Sequence, residues 1–182
     1  PLGNGALGCL VWGPLENLRF SLDKAGLWDL TPAPETLRAD FTYETMCRYV
    51  TEQKWDALKT LFDAPYSYAT PTKLPVGAVT LSGLPEIPYD AVLSLPDATA
   101  SICWEDGSLN VWMAAAAPLL VLEAETPAYL SLAMHPPAYG QTENPFQDHL
   151  CRALAELNYP APVLLADGFL QEISDDRCYC VL

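Results

Sequence analysis

Basic residues are the scarcest part of this sequence: nine lysines and arginines stand against 23 aspartates and glutamates, a formal net charge of −14 over 182 residues. Nucleic-acid affinity rests on basic side chains that release counterions from the phosphate backbone, so this deficit argues against a nucleic-acid partner and against an anionic membrane surface. Long apolar runs are missing too. The longest, Val111 to Leu122, is interrupted by Pro118 and falls short of the ~20 residues that a spanning helix needs, so no membrane insertion is expected. Histidine is limited to His135 and His149, and neither belongs to a Gly-x-Ser-x-Gly elbow or another recognisable nucleophile motif. Cysteine forms no framework. Cys9, Cys47, Cys103, Cys151, Cys178 and Cys180 lie scattered in apolar segments, and a chain of this size can bury a core without disulfides. Cys178-x-Cys180 on a strand is half of a metal site with no second pair at a recognisable spacing, so neither a metal nor a cofactor is expected. No segment reads as a signal peptide, and none assigns a compartment.

What is present is a hydrophobic fraction of 51%, enough for one domain with a real core. The chain opens on a glycine-punctuated turn, Pro1-Leu2-Gly3-Asn4-Gly5-Ala6-Leu7-Gly8, that runs into the apolar strand Ala6 to Trp12. That strand is apolar at both parities and is expected to be covered on both faces. The next alternates, with Leu18, Phe20 and Leu22 on one side and Arg19, Ser21 and Asp23 on the other, the period of a half-exposed antiparallel strand. Beyond Thr31-Pro32-Ala33-Pro34 the period becomes helical. Tyr43, Met46, Cys47 and Val50 share a stripe, and Trp55, Leu58, Leu61 and Phe62 repeat it after a candidate N-cap at Thr51, which predicts a helical insertion over about residues 40–63.

From Val76 the pattern is β. Strands are expected over Val76–Leu81, Tyr89–Leu95, Leu119–Ala124 and Tyr129–His135, with a hairpin of Ala98–Glu105 and Ser108–Ala115 around Asp106-Gly107. A two-residue Asp-Gly loop predicts a type I′ turn. It would pair Trp104 with Leu109, Cys103 with Asn110, Ile102 with Val111 and Ser101 with Trp112, and so gather Trp104, Leu109, Ile102 and Val111 on one face. Asn144-Pro145-Phe146-Gln147 resembles a helix start, and Phe169–Ile173 with Cys178–Leu182 reads as a closing hairpin. The whole predicts a mainly β, antiparallel β-sandwich with a short helical insertion, forming a single domain over residues 1–182. The missing initiator Met and the strand-like last residues suggest a piece of a longer polypeptide.

Candidate chemistry is sparse. Glu105-Asp106 and Asp175-Asp176 read as solvated turns. The opening glycines lack the Lys-Ser/Thr ending of a P-loop and precede a strand, so they form no phosphate cradle. Aromatic rings remain, as platforms for the C–H face of a sugar. Trp12, Trp55 and Trp104 are expected in the core; Trp28, after Gly26 and beside Asp29, and Trp112, on the more polar hairpin face, are expected at a surface.

The opening segment through Gly13, followed by Leu22-x-x-x-x-Leu27-Trp28, resembles the start of the N-terminal β-sandwich domain of the inverting α-L-fucosidase family of glycoside hydrolases. In that family the sandwich is supersandwich-like and precedes an (α/α)₆ barrel that carries the acid and base. The resemblance implies a non-catalytic domain whose partners are a catalytic domain of the same polypeptide and, through the parent enzyme, carbohydrate; a secreted or periplasmic parent would fit it. Asn4, Gly5, Asp23 and Trp28 are its candidates for a substrate-pocket edge or a domain interface. The sequence departs from the family pattern at Asp23-Lys24-Ala25-Gly26 and at Asp29-Leu30. An independent carbohydrate-binding or adhesion β-sandwich without catalysis is the alternative.

Overall fold

The computed structural model describes residues 1–137, 157–174 and 177–181, without the side chains of 174 and 177–181. The described residues fall into two compact units: the first holds those of Pro1–Leu27, Pro75–Ala138 and Tyr159–Leu182, the second those of Trp28–Leu74 and Tyr139–Asn158. In chain order the elements are β1 (Leu2–Gly3), β2 (Leu7–Trp12), β3 (Asn17–Lys24), β4 (Trp28–Asp29), α1 (Tyr43–Thr51), α2 (Trp55–Leu58), β5 (Thr72–Lys73), β6 (Gly77–Ser82) and β7 (Asp90–Ser94). There follow β8 (Thr99–Trp104), β9 (Gly107–Met113), β10 (Leu120–Glu125), β11 (Ser131–His135), β12 (Val163–Leu164), β13 (Phe169–Ser174) and β14 (Arg177–Val181). The helix start expected at Asn144 and the Asp175-Asp176 turn lie outside the described residues.

The first unit is an antiparallel β-sandwich. One sheet runs β1-β2-β3-β6-β11 and the other β10-β9-β8-β7. Alternation decides which side chains meet: Cys9, Leu18, Phe20, Val79 and Leu81 from the first sheet share a buried cluster with Ile102, Trp104, Leu109, Val111 and Met113 from the second. Burying each such side chain contributes about 1.5–3 kcal/mol relative to leaving it in water. Two polar ties link the sheets: Tyr89 donates from its hydroxyl to Gly13 O at 2.8 Å, and Asn4 Nδ2 donates to Ala114 O at 2.8 Å. A third sheet, β12-β13-β14, contains the closing hairpin that the sequence predicts, with Gln171 opposite Tyr179. Phe169, Gln171 and Ile173 form its buried side, where the Gln171 amide donates to Pro160 O at 2.7 Å.

Two expectations for this unit are corrected. The strand β2 is not covered on both faces: Leu10 is 50% exposed and Trp12 half-buried, because only the parity of Cys9 points to the other sheet. The β8–β9 hairpin turns at Glu105-Asp106, neither of which has positive φ, so it is not type I′, and Trp104 pairs with Gly107, Cys103 with Ser108, Ile102 with Leu109, Ser101 with Asn110 and Thr99 with Trp112. The reason lies at Gly107. A Cβ there would stand 2.6 Å from both Glu125 O and Cζ2 of the Trp104 indole, so this glycine is spent on making room for a ring within the strand and not on the turn. The register moves by two residues, the parity is kept, and the expected apolar face stands.

The second unit is closed at its neck by β4 and β5, with Trp28 opposite Lys73. Between them the chain forms a 3₁₀ turn at Pro34–Leu37, α1, α2, a widened π turn at Lys59–Asp63 and a 3₁₀ turn at Ala64–Ser67. Thr42 caps α1, its hydroxyl accepting from Thr45 N at 3.2 Å; Thr51, expected to cap the second helix, is instead the last residue of α1 and donates back to Cys47 O at 2.9 Å, and Lys54 stands at the start of α2 without a side-chain cap bond. The core here is Ala33, Leu61, Phe62 and Leu74, with the Phe41 and Phe62 rings 5.0 Å apart. Trp55, expected in the core, is 51% exposed, and Tyr43, Met46 and Val50 of the α1 stripe are exposed with it.

Candidate functional site

Three of the four residues expected at a site lie at one corner of the five-stranded sheet. Gly5 takes φ +87°, with open space where a Cβ would stand, a conformation that costs a side-chain-bearing residue about 1–2 kcal/mol. Asn4 fixes the turn around it. Its Oδ1 accepts from Ala6 N at 3.0 Å and Leu7 N at 2.9 Å, while Nδ2 donates to Ala114 O and to Ala117 O at 2.9 Å. The polar capacity of this amide is therefore satisfied inside the chain. Asp23, exposed on β3, stands opposite Gly8, which in turn pairs with Gly3. In that row of three positions Asp23 has the only side chain, and the surface beside it is bare backbone. Trp28 lies in the second unit, 41% exposed, with Lys73 Nζ 5.5 Å from its ring centroid.

The other sheet of the sandwich carries a second feature. Residues opposite one another in an antiparallel sheet share a face, so the pairings lay out rows across its outer side. Ser94, Thr99, Trp112 and Val121 form one row, and Val92, Ser101, Asn110 and Glu123 the next. Ser94, Thr99 and Trp112 of the first row and Ser101, Asn110 and Glu123 of the second, together with Asp97, line an open groove of about 470 Å³. Inside it Ser94 Oγ donates to Asp97 Oδ2 at 2.7 Å, Thr99 Oγ1 to Asp97 O at 3.1 Å, and Ser101 Oγ to Asn110 Oδ1 at 2.8 Å. These bonds hold the rim in place and leave the Asn110 amide hydrogens and the exposed Glu123 carboxylate with no partner among the described residues. Sequence periodicity puts Trp112 on this face. It puts Asn110 and Ser101 there too, since strand alternation does not depend on register, but it misses Glu123, which needs the pairing of β10 with β9, and Ser94 and Asp97, because they arrive by a turn.

A smaller cleft of about 170 Å³ between the sheets is lined mainly by apolar groups, among them Leu2, Val11, Leu18 and Ile102. Catalytic constellations are absent among the described residues. Glu105 and Asp106 are exposed at the hairpin tip. Burial pushes the Cys9 thiol up to about 12, which keeps it protonated and poorly nucleophilic. His135, held by Thr80 Oγ1 at 2.9 Å, has its imidazole pKa lowered by burial first and by Arg19 second. Among the described residues no group of three His, Cys, Asp or Glu side chains converges as metal ligands would, and no helix is long and apolar enough to cross a membrane. A scan against protein-family models finds no match, and a search of curated proteins finds no significant match.

Proposed function

We propose that this chain is a non-catalytic β-sandwich domain of a carbohydrate-active glycoside hydrolase, α-L-fucosidase-like, which packs against an (α/α)₆ catalytic barrel of the same polypeptide. The observation that supports this reading is the corner at Asn4, Gly5, Gly8 and Asp23. An amide with every bond satisfied pins a turn whose outer surface is almost free of side chains, and such a surface allows close backbone approach by another body. The rigidity matters as much as the bareness, since a pre-ordered edge loses little conformational entropy when a partner docks. The acid and base belong to the barrel in this reading, on opposite sides of the anomeric carbon with a water between them.

The experiment is to read the encoding gene beyond Leu182 and then to assay the whole protein. Several hundred residues of amphipathic helices are expected downstream. Gly5→Arg in the full-length enzyme is expected to lower fucoside hydrolysis while the sandwich keeps its β-sheet circular dichroism. A stop codon close after Leu182 would sink the proposal and leave the independent carbohydrate-binding module in its place.

A further inference from the structure

We infer that the groove on the outer face of the four-stranded sheet binds a neutral glycan, with Trp112 as the platform and Asn110, Glu123 and Asp97 as its hydrogen-bonding rim. A pyranose ring presents two kinds of surface: C–H faces that pack on an aromatic plane, and a girdle of hydroxyls that both donate and accept. The groove offers the complement of each. Trp112 is half-buried at its base, and its indole N–H donates to no group among the described residues. One step along β9, about 6.8 Å for two strand residues, the row Ser101, Asn110, Glu123 supplies an amide donor and a carboxylate acceptor. Asp97 closes the other end, its carboxylate oriented by Ser94. The volume of about 470 Å³ lies within the roughly 300–1,000 Å³ usual for small-molecule sites.

Charge selects the ligand further. Asp97 and Glu123 are the charged residues of the groove, and among the described residues no lysine, arginine or histidine lines it, so phosphorylated, sulfated or uronic ligands are repelled. A protein partner is poorly served, because apart from Val121 beside the ring and Val92 at the end of the next row the groove is lined by hydroxyls, an amide and carboxylates where an interface core would be apolar. A cationic ligand would find the same carboxylates, and for that reason it belongs in the test. The inference does not depend on a catalytic barrel: it concerns binding by this chain alone, on the sheet opposite the one that carries the Gly5 corner.

The test is calorimetric titration of the 182-residue chain with cellohexaose, xylohexaose and maltohexaose, with a heparin hexasaccharide and a lysine-rich peptide as charged controls. At least one neutral hexasaccharide is expected to bind and to change tryptophan fluorescence. Trp112→Ala should weaken that binding by about tenfold or more, the usual effect of truncating an aromatic anchor. Asn110→Ala and Glu123→Ala lie on the solvated side of the sheet and keep the test open should Trp112→Ala misfold; each should weaken binding several-fold with an unchanged melting temperature. Trp28→Ala should leave it unchanged. Silence with all three neutral sugars, binding that survives both Trp112→Ala and Asn110→Ala, or a preference for heparin or the lysine peptide would overturn the inference. Any of these results leaves the proposed catalytic partner standing, just as a stop codon after Leu182 would leave the groove.

Discussion

The sandwich has two outer faces, each with a tryptophan near the end of a strand, and the two rings are treated in opposite ways. On the five-stranded sheet Trp12 lies opposite Arg19, whose guanidinium carbon sits 5.4 Å from the ring centroid, and its indole N–H donates to Ser21 Oγ at 2.9 Å. On the four-stranded sheet the corresponding cross-strand neighbour of Trp112 is Thr99, and neither a cation over the ring nor an acceptor for its indole N–H is present among the described residues. One ring is consumed by its own sheet; the other is left for something outside it. The difference comes from the two residues that face each ring, Arg19 and Ser21 against Thr99 and a Ser101 whose hydroxyl goes to Asn110, so the availability of an aromatic platform is a property of register as much as of composition.

Both faces stand on the same core, and the largest expected effect comes from removing that support. Leu109, fully buried behind the groove, should lose about 2–5 kcal/mol of unfolding free energy on truncation to Ala, the range for a buried leucine that leaves a cavity. Urea unfolding followed at both tryptophan fluorescence and circular dichroism measures this. A loss under about 1 kcal/mol would mean that the two sheets do not share a core, and the comparison of their faces would lose its basis. Next comes Asn4, which joins the corner of one sheet to the connection that follows Trp112 in the other. Asn4→Ala should cost about 1–3 kcal/mol through carbonyls and amides left unpaired. Asn4→Asp should do no better: it keeps the acceptor for Ala6 N and Leu7 N but turns a second oxygen toward two carbonyl oxygens. A wild-type melting temperature for Asn4→Asp would show that the link between the sheets carries no energy.

How far these faces were legible in the sequence depends on what each signal encodes. Parity placed Trp104, Ile102, Leu109 and Val111 together and set Trp112 apart, because a two-residue register error preserves side-chain alternation. The register itself was misread, since Asp106-Gly107 has the form of a turn while Gly107 serves the Trp104 ring within β9. Parity reaches Ser101, Asn110 and Trp112, but the true partner of Trp112 and the neighbours that come from β10 and the β7–β8 turn lie out of reach. In the second unit, periodicity located α1 correctly but not what lies against it. The stripe of Tyr43, Met46 and Val50 is exposed although its moment is that of a core-facing helix. Asn4 shows a third limit: a residue singled out for a binding edge spends all its hydrogen bonds holding the fold, which only coordinates reveal.

Exchanging the facing residues sharpens the comparison with smaller effects. Thr99→Arg should place a guanidinium over Trp112 as Arg19 lies over Trp12, and is expected to abolish neutral-glycan binding while changing stability by less than about 0.5 kcal/mol, as is usual for a surface substitution. Arg19→Thr should uncover Trp12 and cost about 0.5–1 kcal/mol in lost cation–π attraction. Retained binding in Thr99→Arg with an unshifted Trp112 environment would break the parallel between the two rings.

The smallest effect belongs to the five-stranded face alone. His135 has its pKa lowered in the fold, by burial first and by the Arg19 charge second, so the folded state holds the imidazole neutral more firmly than the unfolded chain does. The sign follows from proton linkage. Around its transition the unfolded state binds more protons, so the contribution is fully present above the ordinary histidine value near 6.5 and is lost as pH falls through the lower folded value. Urea midpoints at pH 7.5 and 5.0 should therefore fall with acidification, and the fall should shrink in His135→Asn, which keeps a polar partner for Thr80 without a titrating ring. Arg19→Thr should move the His135 titration, read by NMR on the ring protons, back toward 6.5, but only part of the way, because burial is the larger cause. A complete return would make Arg19 the dominant influence, and a shift in the other direction would remove Arg19 from the account of this face.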